Sequence, residues 1–305
     1  MKRVIFTTLA VLLFLAGASL LLYPHARSLM SEYENGQEIS RFQDEKLRIE
    51  QGSGQEGSTG TDYGGLLQQM QEYNASIYEN GQSGLVDAWS YEQNPFDLQA
   101  SGLPDDMVGY ITIDAMNLRM PLYVGASREN MLKGAVVLGQ TSMPIGGENT
   151  NCVIAAHRGN GGIPMFREIE VLQAGDKVEI TNLWETIEYQ VEKCIVIEPD
   201  DVDAVKILPG EDMVTLITCH PYPQNYQRYV VYCKRAGEGQ ADGDEELQAR
   251  LGDGLPYESS EEDIRTEQML NLIALGGLLT VFLLAVIFLF TRRKKKKRKR
   301  KRRDR

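Results

Sequence analysis

The chain has 305 residues, 42% of them apolar, which is enough for a real core and excludes disorder throughout. Its net charge of -11 conceals two populations: thirteen of the 32 Lys and Arg lie between Arg292 and Arg305, so this tail carries about +12 and the rest about -23. Neither a uniformly acidic soluble enzyme nor a nucleic-acid binder recruited by overall charge fits that division.

In chain order, Val4 to Tyr23 is twenty residues without a charge, long enough as a helix to cross a ~30 Å hydrocarbon layer. Lys2 and Arg3 precede it, which places the N-terminus on the cytoplasmic side and residues 24 to about 268 outside. Ala16-Gly17-Ala18 offers the alternative of a cleaved signal peptide, although the apolar run continues past it through Leu20, Leu21 and Leu22. Residues 24–107 then read as a helical extension with a flexible Gly/Ser linker at 52–65. Within it Leu66, Leu67, Met70, Tyr73, Ile77 and Tyr78 recur at helical spacing, predicting an amphipathic helix stopped by Gly81.

Strand signals dominate 108–235. The runs 109–113, 118–125, 151–157, 176–183, 186–198, 213–219 and 227–233 are β-branched or aromatic and bounded by turn residues, with brief helical turns at 166–172 and 201–208. Seven or eight such strands predict a mainly β fold, a closed or nearly closed barrel with a sandwich as the alternative. Residues 236–268 carry eleven acids and two bases and read as an extended, solvated stalk that buries little. Met269 to Thr291 is a second uncharged run, and the basic tail 292–305 behind it marks a stop-transfer, lipid-facing cytoplasmic end.

Chemistry has few carriers here. Of three histidines, His25 abuts the first span, leaving His157 and His220. Four cysteines show no CxxC and no metal-ligand spacing, and Cys152, Cys194 and Cys233 sit inside strand patterns as small buried thiols. No cofactor and no metal cage are indicated. Cys219 differs, because it ends the strand MVTLIT before His220-Pro221-Tyr222-Pro223 and is presented at a strand end. Neighbours on an extended chain face opposite ways, so His220 is poorly placed to activate it. His157, closing the strand NCVIAAH, is the better base, and Arg228, opening the strand RYVVYC, supplies fixed charge and donors for a developing oxyanion.

The run Thr215-Leu216-Ile217-Thr218-Cys219, followed nine residues later by Arg228 and preceded by His157 sixty-two residues upstream, resembles the sortase signature over about 108–235. The resemblance implies an eight-stranded sortase barrel and a cysteine transpeptidase acting on Leu-Pro-x-Thr-Gly sorting signals. Cys219 would form the thioacyl enzyme, His157 would protonate the departing amine and Arg228 would hold the substrate and its oxyanion. Two spans and an N-terminal extension are most similar to class C, the pilin-polymerising sortases, whose extension includes a lid of the Asp-Pro-Trp kind. Asp87 and Trp89 match that lid and Ala88 departs from its Pro, while Asn94-Pro95-Phe96 is a weaker match. The implied partners are sorting-signal pilins, a pilin Lys amine and membrane lipids, with no nucleic acid. Anchoring of surface proteins to a peptidoglycan amine is the alternative reaction, and a two-span peptide-binding receptor the alternative without catalysis.

Overall fold

The computed structural model describes residues 2–52, 63–86, 91–92, 98, 103, 105–237 and 245–301. They form two compact units, Ser28–Glu261 and a second made of Met1–Arg27 with Glu262–Arg305. The second unit is helical: it holds the first part of α1 (Lys2–Gly52) and most of α5 (Glu261–Lys301). Both helices are long and apolar enough to cross a membrane.

The first unit is built on a closed eight-stranded barrel of β1 (Met107–Ile113), β2 (Leu118–Val124), β3 (Ala135–Val137), β4 (Thr150–Ala155), β5 (Lys177–Asn182), β6 (Thr186–Ile197), β7 (Asp212–His220) and β8 (Gln227–Arg235). The order around the barrel is β1-β2-β3-β4-β7-β8-β6-β5, which resolves the barrel-or-sandwich alternative. Seven of these strands coincide with the apolar runs of the sequence. The eighth, β3, is three residues long and too short for any periodicity; it follows α3 (Arg128–Lys133), whose Ser127 cap accepts from the Asn130 amide. β3 is held parallel to β2 and antiparallel to β4. β4 pairs with β7 in parallel from Thr150↔Asp212 to Ala155↔Ile217.

Helix α2 (Tyr63–Glu79) buries Leu66, Met70, Asn74 and Ile77, one face at helical spacing, and begins inside the stretch expected to be linker. Asn74 is the polar member of that face, and its side chain mimics a peptide: Oδ1 accepts from the Met143 amide at 2.7 Å while Nδ2 donates to the Met143 carbonyl at 3.4 Å. The barrel part of α1 contributes Ile39 and Phe42 to the core, and Lys46 Nζ donates to the carbonyls of Asn182 and Leu183 at 3.3 and 3.2 Å.

The acidic segment after β8 departs from the expected strut. Its described residues 245–261 lie on the barrel: α4 (Glu245–Arg250) directs Leu247 and Leu251 into the core, the Leu255 amide donates to the Val196 carbonyl, and Gln248 Nε2 donates to the carbonyl of Glu192. Two buried leucines favour docking by roughly 2 kcal/mol each before the cost of ordering the segment. Composition concealed this, because two apolar side chains four residues apart are outvoted by eleven acids.

Candidate active site

β7 brings Cys219 to the end of the barrel wall, with Arg228 of β8 directly opposite in the antiparallel register. Paired residues of neighbouring strands project to the same side, so thiol and guanidinium share a face. On the other flank the parallel β4 register runs to Ala155↔Ile217 and continues with the Ala156 amide donating to the Ile217 carbonyl at 3.3 Å. Two residues further along the chain in each case stand His157, just past the end of β4, and Cys219 on β7. The extrapolated register thus brings His157, at the exit of β4, level with Cys219 and Arg228 on β7 and β8, and each of the three is partly exposed.

Two hydrogen bonds tie the residues that flank this pair. Thr218 Oγ1 donates to the Ala156 carbonyl at 2.7 Å, and Arg158 Nη1 donates to the Cys219 carbonyl at 3.2 Å. The chain then leaves the strand line through Gly159, at φ +97, a left-handed conformation in which any larger residue is strained; its Cβ would also displace the Arg167 guanidinium, 2.9 Å away. The turn returns to the His157 carbonyl, which accepts from the Phe166 amide at 3.1 Å. Burial lowers the pKa of His157 below its usual value, so the imidazole stays neutral near pH 7. Arg228 turns Nη1 toward the carbonyls of Gln227, the first residue of β8, at 2.8 Å, and of Asn225, in the loop joining β7 to β8, at 3.4 Å.

His220 lies on the opposite face, as strand alternation requires. It is 1% exposed, with Nδ1 3.3 Å from the Glu170 carboxylate, and its ring meets Tyr229 and Tyr257 at 5.7 and 5.3 Å between centroids. Glu170 is paired with Arg158, both side chains at most 3% exposed. Despite its burial, hydrogen bonds from His220, Ser259 and Arg158 hold the Glu170 carboxyl well below the usual carboxylate range. Sequence reasoning singled out neither Arg158 nor Glu170. The signals present were an Arg directly after His157 and one acid in the otherwise apolar turn Ile169–Val171.

The other three thiols are free. Burial raises Cys152 and Cys233 far above the ordinary thiol range and raises Cys194 as well. Asp87 and Trp89 lie outside the described residues, as does the segment Asn94-Pro95-Phe96. The residues that border Asp87 and Trp89 are anchored to the barrel unit: Leu85 is buried in the core, and the Tyr91 carbonyl accepts from the Gly139 amide at 3.0 Å. Burial and the charge of Asp201 push the Tyr91 hydroxyl up to about 12, and the nearby Arg228 charge opposes that rise.

Residues 111–236 match the family described as Sortase domain. Among solved structures, sortase C-1 from Streptococcus pneumoniae is 29% identical, with a TM-score of 0.54 over 66% of this chain and 98% of that one. Sortase C1 of GBS Pilus Island 1 is 32% identical, with a TM-score of 0.52 over 57% of this chain and 88% of that one. Sortase A of Bacillus anthracis is 29% identical over 156 residues, 50% of this chain and 72% of its own length.

Proposed function

Because this chain belongs to the sortase family of cysteine transpeptidases, we propose that it polymerises pilins bearing a Leu-Pro-x-Thr-Gly-type sorting signal, with Cys219, His157 and Arg228 as its catalytic residues. The observation that carries this reading is the row at the strand ends: sulfur and guanidinium in register on β7 and β8, with His157 at the exit of the parallel strand β4, level with Cys219 by the register of that pairing.

The neutral His157 imidazole takes the Cys219 proton, and the thiolate attacks the Thr carbonyl carbon of the Thr-Gly bond. Arg228 donates to the oxygen that gains charge, an effect worth about 10²–10³ in rate for such donors. Collapse breaks the C–N bond, His157 returns its proton to the departing Gly amine, and a thioester on Cys219 remains. A Lys amine of the next pilin attacks that thioester, loses a proton to His157 and forms an isopeptide bond, which frees the thiol. Asp87 and Trp89 act as a lid over this row in the same reading; Tyr91, two residues beyond Trp89 and within the field of Arg228, supports it. A Trp89→Ala variant then reacts faster with a thiol reagent at Cys219, and an unchanged rate removes the lid from the account. For topology, the basic flanks favour both termini in the cytoplasm and the barrel outside.

The test is a covalent one. The full-length chain in detergent, incubated with a sorting-signal peptide, forms an adduct on Cys219 that mass spectrometry locates. Absence of an adduct with every sorting peptide, or its persistence in Cys219→Ala, overturns the assignment. Supplying pilin or peptidoglycan cross-bridge amines in competition then decides which nucleophile resolves the intermediate, with the pilin amine expected.

A further inference from the structure

The buried cluster behind Cys219 has an arrangement that fold stability alone does not explain. Burying an Arg–Glu pair costs much of what the pair returns, and an apolar pair of similar volume packs as well or better. Here the guanidinium is used in three directions at once: Nη1 to the Cys219 carbonyl at 3.2 Å, Nε to the Arg167 carbonyl at 2.9 Å, and Nη2 to Glu170. Arg158 is also the residue after His157, so its main chain carries the imidazole while its side chain grips the nucleophile's peptide. Glu170 is held in turn from outside. Its Oε2 accepts from Ser259 Oγ at 2.6 Å and from the Ser260 amide at 2.8 Å. Ser260 Oγ accepts from the Tyr222 amide at 3.0 Å, and the Tyr257 ring meets Tyr229 edge-on at 5.6 Å.

We propose that Arg158 and Glu170 are positioning residues that set the separation of His157 and Cys219, and that the C-terminal segment Tyr257–Ser260 is the outer member of this brace. The inference rests on His157 and Cys219 being the reacting pair. A planar guanidinium fork fixes three partners in one orientation, which a lysine ammonium does not reproduce. Displacement of reacting groups by about 1 Å costs on the order of 10² in rate, so a brace of this kind acts on the pair without touching substrate. It also assigns a role to the acidic segment: residues 257–260 complete the site from beneath.

The experiment needs no sorting signal. The full-length chain is treated with iodoacetamide, and the rate of modification at Cys219 is read by mass spectrometry for Arg158→Lys, Glu170→Gln and Ser259→Ala, each in the wild-type and in the His157→Ala background. We expect Arg158→Lys and Glu170→Gln to slow modification about tenfold, and Ser259→Ala, an exposed position that keeps the fold, about twofold. In the His157→Ala background none of them slows it further, because the brace acts through the imidazole; a merely structural defect would multiply with the loss of His157. Wild-type rates in all three variants, or losses that multiply, overturn the brace. If those rates are wild-type while the sorting peptide still forms its adduct, the brace alone fails. If the expected pattern appears and no peptide forms an adduct, the transpeptidase reading fails and the brace stands.

Discussion

Cys219 and His220 are consecutive residues whose surroundings have little in common. Cys219 stands partly exposed in a row with Arg228 and His157, whereas His220 is sealed among Glu170, Arg158, Tyr229 and Tyr257. One peptide bond separates an open face from a filled polar one. The two faces of one strand end are thus built for different purposes: behind the candidate row lies a packed layer of charged and aromatic side chains that holds the Cys219 peptide in place.

The largest expected effect breaks the symmetry of the two imidazoles. His157→Ala lowers the rate of adduct formation on Cys219 by about 10²–10⁴, while His220→Ala keeps partial activity and instead lowers stability by about 1–3 kcal/mol, because Glu170 loses a buried partner. Stopped-time peptide acylation and thermal unfolding on the same preparations separate the two. The arginines divide in the same way. Arg158→Ala leaves the buried Glu170 uncompensated and costs about 3–5 kcal/mol in unfolding free energy; Arg228→Ala slows acylation by about 10²–10³ with little change in melting temperature.

A pH series sharpens the filled side. The Glu170 carboxyl titrates lower in the folded chain than in the unfolded one, so its contribution is fully present above the ordinary carboxylate value of about 4.3 and is lost as pH falls below it. The stability gap between wild type and Glu170→Gln is therefore constant near neutrality and begins to narrow once pH falls below about 4.3, as denaturant midpoints from pH 7 to pH 3 will show. The smallest effect belongs to Tyr257→Phe. It keeps the ring against His220 and gives up only the 3.4 Å hydroxyl contact with Tyr229, so stability shifts by about 0.5 kcal/mol or less.

Much of the open face was legible in the chain. Strand alternation alone sorted Cys219 from His220, and seven apolar runs delivered seven strands. The filled face was legible only in part, and the reason is physical: Arg158 and Glu170 left faint local signals, but the partners that complete the cluster, His220, Ser259 and Ser260, come from far along the chain, and no local pattern marks a charge whose partners are remote. α4 escaped for a related reason, as its burial depends on Leu247 and Leu251 finding the barrel and not on any preference of the acidic segment itself. β3 is stabilised by its two neighbours and carries too few residues to announce itself.

The parallel pairing of β4 with β7 carries a consequence in time. Parallel neighbours cannot be joined by a tight turn, and here the chain must travel through β5 and β6 before β7 arrives. Contacts this distant along the chain are made late, after loop closure has been met. In the proposed mechanism the Cys219 thiol therefore gains its base only once β4 and β7 have paired. On the proposed roles, transpeptidase competence arrives together with the finished barrel.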